Sequence, residues 1–331
     1  MRVPMRAFLT GGTGFIGGRV ARRLRDRGDE VVALVRSPER AADLGRIGCE
    51  LVEGGLADGA ALAKGLHGAD ACFHVAGDYR VGVTKAECQT MWETNVEGTR
   101  HVLQAAHDAG VARTVYVSTV GTFGNTGGVI VDETFRRDES KGYLSCYDET
   151  KYKAHLVAEE FAAGGDPVVI AMPGGVYGPG DHSALATLIE MARKGRLKWT
   201  PFADMGITAA HVDDIVEGIV LAHDRGRVGE SYVLAGPAVR QIEIAGAAAR
   251  LSGKKPPRGN LPTAVVKMAI PFGPLVGRAM GLEPNIREMI RSADGVTYWA
   301  SADKAQRELR FTARSLEEGL RQTLSAGEPA A

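Results

Sequence analysis

Four cysteines are all that the 331 residues hold, and none stands in a CxxC spacing, so the chain offers neither a disulfide framework nor the ligand spacing of a zinc site. Cys49, Cys72, Cys88 and Cys146 are scattered, the first two in apolar runs that read as buried strands, and all four are expected to be reduced thiols filling small gaps in the core. An excess of one charge is equally absent: 40 basic residues balance 40 acidic ones, for a formal net charge of +0. Such a chain has no global field to gather a polyanion or an anionic membrane surface, and nucleic acid is not expected as a partner. Nor is there an uninterrupted apolar run of the ~20 residues that a membrane span needs. The nearest approach, Thr263 to Leu282, is broken by Lys267, Pro271, Gly273, Pro274 and Arg278. The N-terminal MRVPMRAFLTGG lacks an extended apolar core ahead of a cleavage site, which reads as a cytoplasmic protein. His74, His155 and His211 fall at no spacing that assembles a metal site, so no metal is expected.

What is present is alternation. Short β-branched runs near 6–10, 30–35, 50–53, 70–75, 112–118 and 167–172 are separated by stretches with apolar residues at three- and four-residue spacing. This pattern predicts an α/β fold, a doubly wound parallel sheet of the Rossmann type, with a smaller, mixed C-terminal substrate domain. The first domain is expected over residues 1–175, with a strand return near 207–235, and the substrate-binding or lid domain over 176–206 and 236–331. The two longest helical stretches, 85–109 and 147–163, are the expected faces of a homodimer.

Directly after the first strand comes Thr10-Gly11-Gly12-Thr13-Gly14-Phe15-Ile16-Gly17, followed by the amphipathic GRVARRLRDRG. A glycine at the first position permits a tight turn, Gly14 lets the backbone approach a pyrophosphate, and Gly17 allows the helix to pack closely. Free N–H groups at the helix start then bind the anion, which makes Gly11, Thr13, Gly14, Phe15, Ile16 and Gly17 the candidate dinucleotide contacts. The second strand ends at Arg36 rather than at a carboxylate. A guanidinium there grips a ribose 2′-phosphate, with Arg40 as a second contact, so NADP(H) is favoured and NAD(H) is the alternative.

Tyr147 and Lys151 are four residues apart, which puts a phenol and an ammonium on one helix face. The cation is expected to stabilise the phenolate, so that the phenol exchanges a proton with a substrate oxygen near neutral pH, and Tyr147 and Lys151 are also expected among the cofactor contacts, Lys151 bonding the nicotinamide ribose hydroxyls. The fifth strand ends in Ser118 and Thr119, at the edge of an open α/β sheet where ligands sit; Thr119 is the first choice for orienting the substrate oxygen and Ser118 the second.

Taken together, TGGTGFIG, HVAG (74–77), NVEGT (95–99), STVGTFG (118–124), Tyr147xxxLys151, PGGVYGPGD (173–181) and HVDD (211–214) resemble the extended short-chain dehydrogenase/reductases, over about residues 6–235. The resemblance implies a lid-like second domain, a proton relay helped by Asn95, and cofactor contacts at Ala76, Pro173 and Val176. HVAGDYR and YWASADKAQRELRFTARSLEEGL look most like the dihydroflavonol reductase and 3β-hydroxysteroid dehydrogenase branch. Three departures matter. Sugar dehydratases of that family carry Asp-Glu after the catalytic Thr, where this chain has Val120 and Gly121, which argues against dehydration. Nucleotide-sugar epimerases usually carry an Arg four residues before the His of HVDD, where Ile207 stands here. The usual GDL after the third strand is Gly54-Gly55-Leu56, so one adenine contact is missing.

The remaining features read as structural, except the last. Asp213 and Asp214 read as caps of the helix IVEGIVLAH, and Arg22, Arg23, Arg25 and Arg27 as a solvated face. The apolar AVVKMAIPFGPLVGRAMG reads either as core or as a lid favouring a lipophilic ketone. The expected activity is reduction of a ketone or aldehyde, or oxidation of the alcohol, with NADP(H) and with Tyr147 as general acid or base. Two alternatives stand beside it: an NAD-dependent nucleotide-sugar 4-epimerase, and a non-catalytic NADP-sensing regulator, a kind that typically lacks the Tyr/Lys pair.

Overall fold

The computed structural model describes residues 3–268 and 285–325. Its central sheet has seven strands: β1 (Arg6–Thr10), β2 (Glu30–Val35), β3 (Glu50–Glu53), β4 (Ala71–His74), β5 (Arg113–Val117), β6 (Val168–Pro173) and the strand Ser231–Leu234. Every pairing in it is parallel. A parallel sheet covered on both faces needs strands that are apolar at consecutive positions. That is why Ala7, Phe8 and Leu9 are all fully buried, each large side chain stabilising the fold by about 1.5–3 kcal/mol. Between the strands run α1 (Gly17–Asp26), α2 (Ala42–Arg46), α3 (Gly59–Leu66), α4 (Lys85–Trp92) and α5 (Gly98–Asp108); α6 (Cys146–Ala163) precedes β6. Helix α1 shows how the spacing works: Val20, Ala21 and Leu24 are buried on one stripe.

The strand order β3-β2-β1-β4-β5-β6, with Ser231–Leu234 outermost, reverses direction between β1 and β4. The register aligns Leu9 with Phe73 and Thr10 with His74, so the loops leaving β1 and β4 emerge side by side at the switch point, where α/β sheets bind ligands.

A second, smaller sheet is centred on the strand Gly206–His211, which pairs with Gly175–Tyr177, Ala238–Arg240 and Thr297–Tyr298. The expected strand return near 207–235 is therefore split: Gly206–His211 lies in the second sheet, and Ser231–Leu234 alone rejoins the first. Apolar pattern identifies both as buried strands, but pairing partners are not encoded locally. Around this lobe, Leu188, Ile189, Ile244, Ala248 and Leu320 from three helices form a separate core. The apolar segment read as core or lid is described only to Met268, and the rest of it lies outside the described residues.

Two further expectations are corrected. Cys88 and Cys146 form a disulfide, their Cα atoms 5.8 Å apart, while Cys49 and Cys72 are free and buried. The pair is 58 residues apart in sequence and meets because α4 packs against the start of α6, a proximity that no spacing rule detects. The arginine run of α1 is also less solvated than its sequence reads. Arg23 pairs with Glu217 and Arg27 with Asp224, tying α1 to the helix Val212–Arg225, and Arg22 is left as the exposed member.

Candidate active site

The turn after β1 is shaped by backbone crowding. Gly11 has φ +75°, and a Cβ there would lie 2.6 Å from the Ala76 amide nitrogen, so only glycine lets β1 leave the sheet against the end of β4. A Cβ on Gly17 would lie 2.1 Å from the Gly11 carbonyl oxygen, which fixes how closely α1 approaches the turn. Gly14 meets nothing nearer than that same oxygen at 3.2 Å, so its outer face is open for a phosphate. No side chain caps the N-terminus of α1 and no acidic residue stands in its first turn, leaving its positive end available to an anion. Thr13 and Gly14 are exposed, and Phe15 and Ile16 half-buried, along this open rim. Arg19, one helix turn on, stacks on the Phe15 ring and donates to the Pro179 carbonyl, joining the turn to the loop beyond β6.

At the tip of β2, Arg36 is exposed and has no ion pair or hydrogen bond among the described residues. Ala76 donates its N–H to Thr10 Oγ1 at 3.3 Å. Pro173 ends β6, and Val176 sits in the short strand that follows. Ala76 and Pro173 thus stand at the carboxyl ends of β4 and β6, on the same edge of the sheet as the glycine turn, and the open, uncapped start of α1 suits a phosphate.

The second half of the site is built on α6. Ser145 caps it by accepting from the Asp148 N–H at 3.1 Å. Tyr147 and Lys151 stand one turn apart. The Lys151 ammonium is buried, donating to Tyr116 Oη and to the Val117 carbonyl, each at 3.0 Å. Thr119 is close enough to the Tyr147 phenol to lower its pKa, and its Oγ1 accepts from the Gly121 N–H at 3.1 Å. Ser118 faces elsewhere: its hydroxyl is buried against His155 Nδ1 at 3.0 Å. Of the two strand-end hydroxyls, the structure brings Thr119 to Tyr147 and directs Ser118 into the core.

Asn95 lies buried in a π-helical turn, Glu93–Glu97, between α4 and α5. Its Oδ1 accepts from the Asp78 N–H at 2.7 Å, and its Nδ2 donates to the Asp78 carbonyl and to Thr150 Oγ1, each at 3.0 Å. Asn95 thereby links the loop after β4 to α6. A Cβ on Gly77 would lie 3.4 Å from Asn95 Oδ1 and 3.9 Å from Lys151 Nζ, so a backbone without a side chain separates the two.

The expected electrostatics of the phenol are corrected. Burial, with the Tyr79 phenol nearby, pushes Tyr147 well above the ordinary tyrosine range, and Thr119 opposes the shift. Lys151 directs two of its three N–H groups to Tyr116 and Val117, and burial moves the Tyr147 pKa up rather than down, so the phenol is not made acidic.

Sequence reasoning assigned no role at this site to several residues. His74 is fully buried, bonded to Thr10 Oγ1 at 2.7 Å and to Thr99 Oγ1 at 3.0 Å, and burial followed by Lys151 lowers its pKa to about 3. Arg137 pairs with Asp148 beside Tyr147, and Tyr79 stands against the Tyr147 ring. An aromatic just beyond a strand at the switch point was a readable signal for Tyr79; Arg137, in an irregular loop, gave none. His211, rather than the two aspartates, caps the helix Val212–Arg225. Asp213 and Asp214 fill its first turn and pair with Arg19 and Arg314. Among the described residues no three His, Cys, Asp or Glu side chains cluster as metal ligands, and no helix is long and apolar enough to cross a membrane.

Residues 7–235 match the model of the NAD dependent epimerase/dehydratase family. The chain is 31% identical, over 98% of both sequences, to a 4-hydroxy-2-methyl-3-oxo-4-farnesyl-3,4-dihydroquinoline-1-oxide ketoreductase of Stigmatella aurantiaca. It is 32% identical to a candidate dihydroflavonol 4-reductase of a Synechocystis strain, over 77% of this chain and 75% of that one. Among solved structures it resembles a double mutant of the dTDP-glucose 4,6-dehydratase DesIV of Streptomyces venezuelae, crystallised with NAD bound. The TM-score is 0.76, with 26% identity over 97% of this chain and 96% of that one.

Proposed function

The chain belongs to the NAD dependent epimerase/dehydratase family of extended short-chain dehydrogenase/reductases, and from that premise we propose that this NAD(P)-dependent enzyme reduces a ketone with NADPH, Tyr147 giving the proton. The observation that carries the reading is the placement of Tyr147: it stands one helix turn before Lys151 on α6 and ring to ring with Tyr79 of the loop after β4, where burial raises its pKa. A group loaded with its proton suits the reductive direction.

When bound, the reduced nicotinamide supplies the hydride. The chain's own residues do the rest. The start of α1 holds the phosphates, Thr119 orients the carbonyl oxygen, and Tyr147 donates to that oxygen as it gains charge. Lys151 and Asn95 fix the helix and loop on either side. Arg36, exposed and unpaired among the described residues, would take the 2′-phosphate, which supports NADPH over NADH. Ile207 supports a ketone over a nucleotide sugar: its side chain packs against the backbone at Gly175, an apolar contact where diphosphate recognition would want a cation. Val120 and Gly121 after Thr119 supply no carboxylate for dehydration. Two named relatives are reductases, which supports the same reading. We propose further that the protein acts as a homodimer through α4, α5 and α6, for which light scattering in solution is the test.

The functional test is ketone-dependent oxidation of NADPH, followed by absorbance, with NADH in parallel. Turnover with NADPH and a weaker response to NADH is the expected result. Tightly retained NAD in the purified protein, with no net NADPH consumption on any ketone, would instead mark a 4-epimerase.

A further inference from the structure

Tyr79 is a large aromatic side chain left 58% exposed, yet it is not loosely held. On one side, the Asp78 N–H and carbonyl are both bonded to the Asn95 side chain, at 2.7 and 3.0 Å. On the other, Arg80 forks onto the Asp78 carboxylate at 2.8 and 3.1 Å and reaches Glu87 at 3.1 Å. Glu87 in turn closes the capping box of α4 with Thr84, so the loop is anchored to that helix.

The ring meets Tyr147 edge to face, with centroids 4.6 Å apart and planes at 84°. Asp181, in the loop after Gly175–Tyr177, is near enough for its charge to be felt at the Tyr79 phenol. The Tyr79 ring is therefore open to solvent over more than half its surface while one part of it is held against the Tyr147 ring.

We infer that Tyr79 is the specificity-determining residue of this site: its ring is the wall against which a flat, conjugated carbonyl compound lies while Thr119 and Tyr147 take the oxygen. This inference rests on the ketone-reductase reading and names its substrate class. A planar π-system gains offset-stacked or edge contacts with the ring that a puckered, saturated ketone of the same size does not. The Tyr79 hydroxyl is not needed for this, because the contact is made by the ring.

The test uses methyl 2-naphthyl ketone and its fully saturated decalin counterpart on the full chain, with Tyr79→Phe and Tyr79→Leu. Affinity for the complex with NADP+ is measured by calorimetry, and kcat/KM with NADPH by absorbance. Relative to the saturated ketone, the naphthyl ketone should lose roughly threefold to tenfold in both affinity and kcat/KM in Tyr79→Leu, and little in Tyr79→Phe. Because the side chain is exposed, both variants should melt with the wild type, and Tyr79→Phe controls for any loss of fold. An unchanged naphthyl-to-decalin ratio in Tyr79→Leu, or no binding of either ketone, overturns the inference. Turnover of both ketones with no ratio change leaves the reductase reading standing without it. Ring-dependent affinity without turnover supports Tyr79 as the wall and removes the reductase reading.

Discussion

Arg137 and Asp148 form a two-pronged ion pair, at 2.7 and 3.0 Å, in which each side chain is about 95% buried. Asp148 follows Tyr147 directly and also accepts from the Leu144 N–H at 2.8 Å, while the guanidinium lies over the rings of both Tyr143 and Tyr152. The irregular loop ahead of α6 is thus fastened to the first turn of the helix that carries the proton donor.

Replacing one partner leaves the other charge buried alone, so Arg137→Ala should destabilise the fold by about 3–5 kcal/mol in urea unfolding. Arg137→Met combined with Asp148→Leu, which removes both charges, should cost less than either single change. A double variant as unstable as the sum of the singles contradicts this account of the clamp.

The parts of this site legible in the sequence are those encoded within one βα unit or one helical turn. The glycine spacing after β1 and the four-residue step from Tyr147 to Lys151 each need only local geometry, and both were placed from the chain alone. Asn95 required a family resemblance, because nothing in NVEGT says that its side chain will grip the backbone of Asp78. The Arg137 clamp and the Cys88–Cys146 bond were invisible because their partners meet across irregular chain or between separate helices. The pKa direction of Tyr147 was misread for a related reason: the spacing gives the distance to Lys151 but not how deeply the fold buries the phenol.

That direction sets a pH dependence. Ketone reduction needs the phenol with its proton, and a phenol raised above the usual ~10 keeps it throughout the neutral range. The value of kcat/KM for reduction should therefore be level from roughly pH 6 to 9 and fall only above about 10, while alcohol oxidation, which needs the phenolate, should rise with pH. A reduction rate that falls through pH 7 to 8 contradicts the assignment.

His74 makes the fold sensitive to acid. Burial keeps it neutral down to about 3, whereas the unfolded chain takes up a proton near 6.5. Its folded pKa is depressed, so no penalty applies above about 6.5, and stability falls as pH drops from there toward 3, by up to about 1.4 kcal/mol per unit. His74→Gln should flatten that decline in urea midpoints measured between pH 7 and 4; parallel profiles for the two proteins contradict it.

The disulfide predicts a thiol count. Protein purified in air and denatured without reductant should titrate with two thiols, those of Cys49 and Cys72, and with four after reduction. Four thiols before reduction contradict the Cys88–Cys146 bond.

The central claim is that Tyr147 donates the proton while other residues hold the cofactor, and Tyr147→Phe tests it most directly. NADPH affinity, measured by fluorescence titration, should match the wild type, and turnover on a ketone should drop by about 10²- to 10⁴-fold. Turnover within a few-fold of the wild type, at unchanged NADPH affinity, would contradict it.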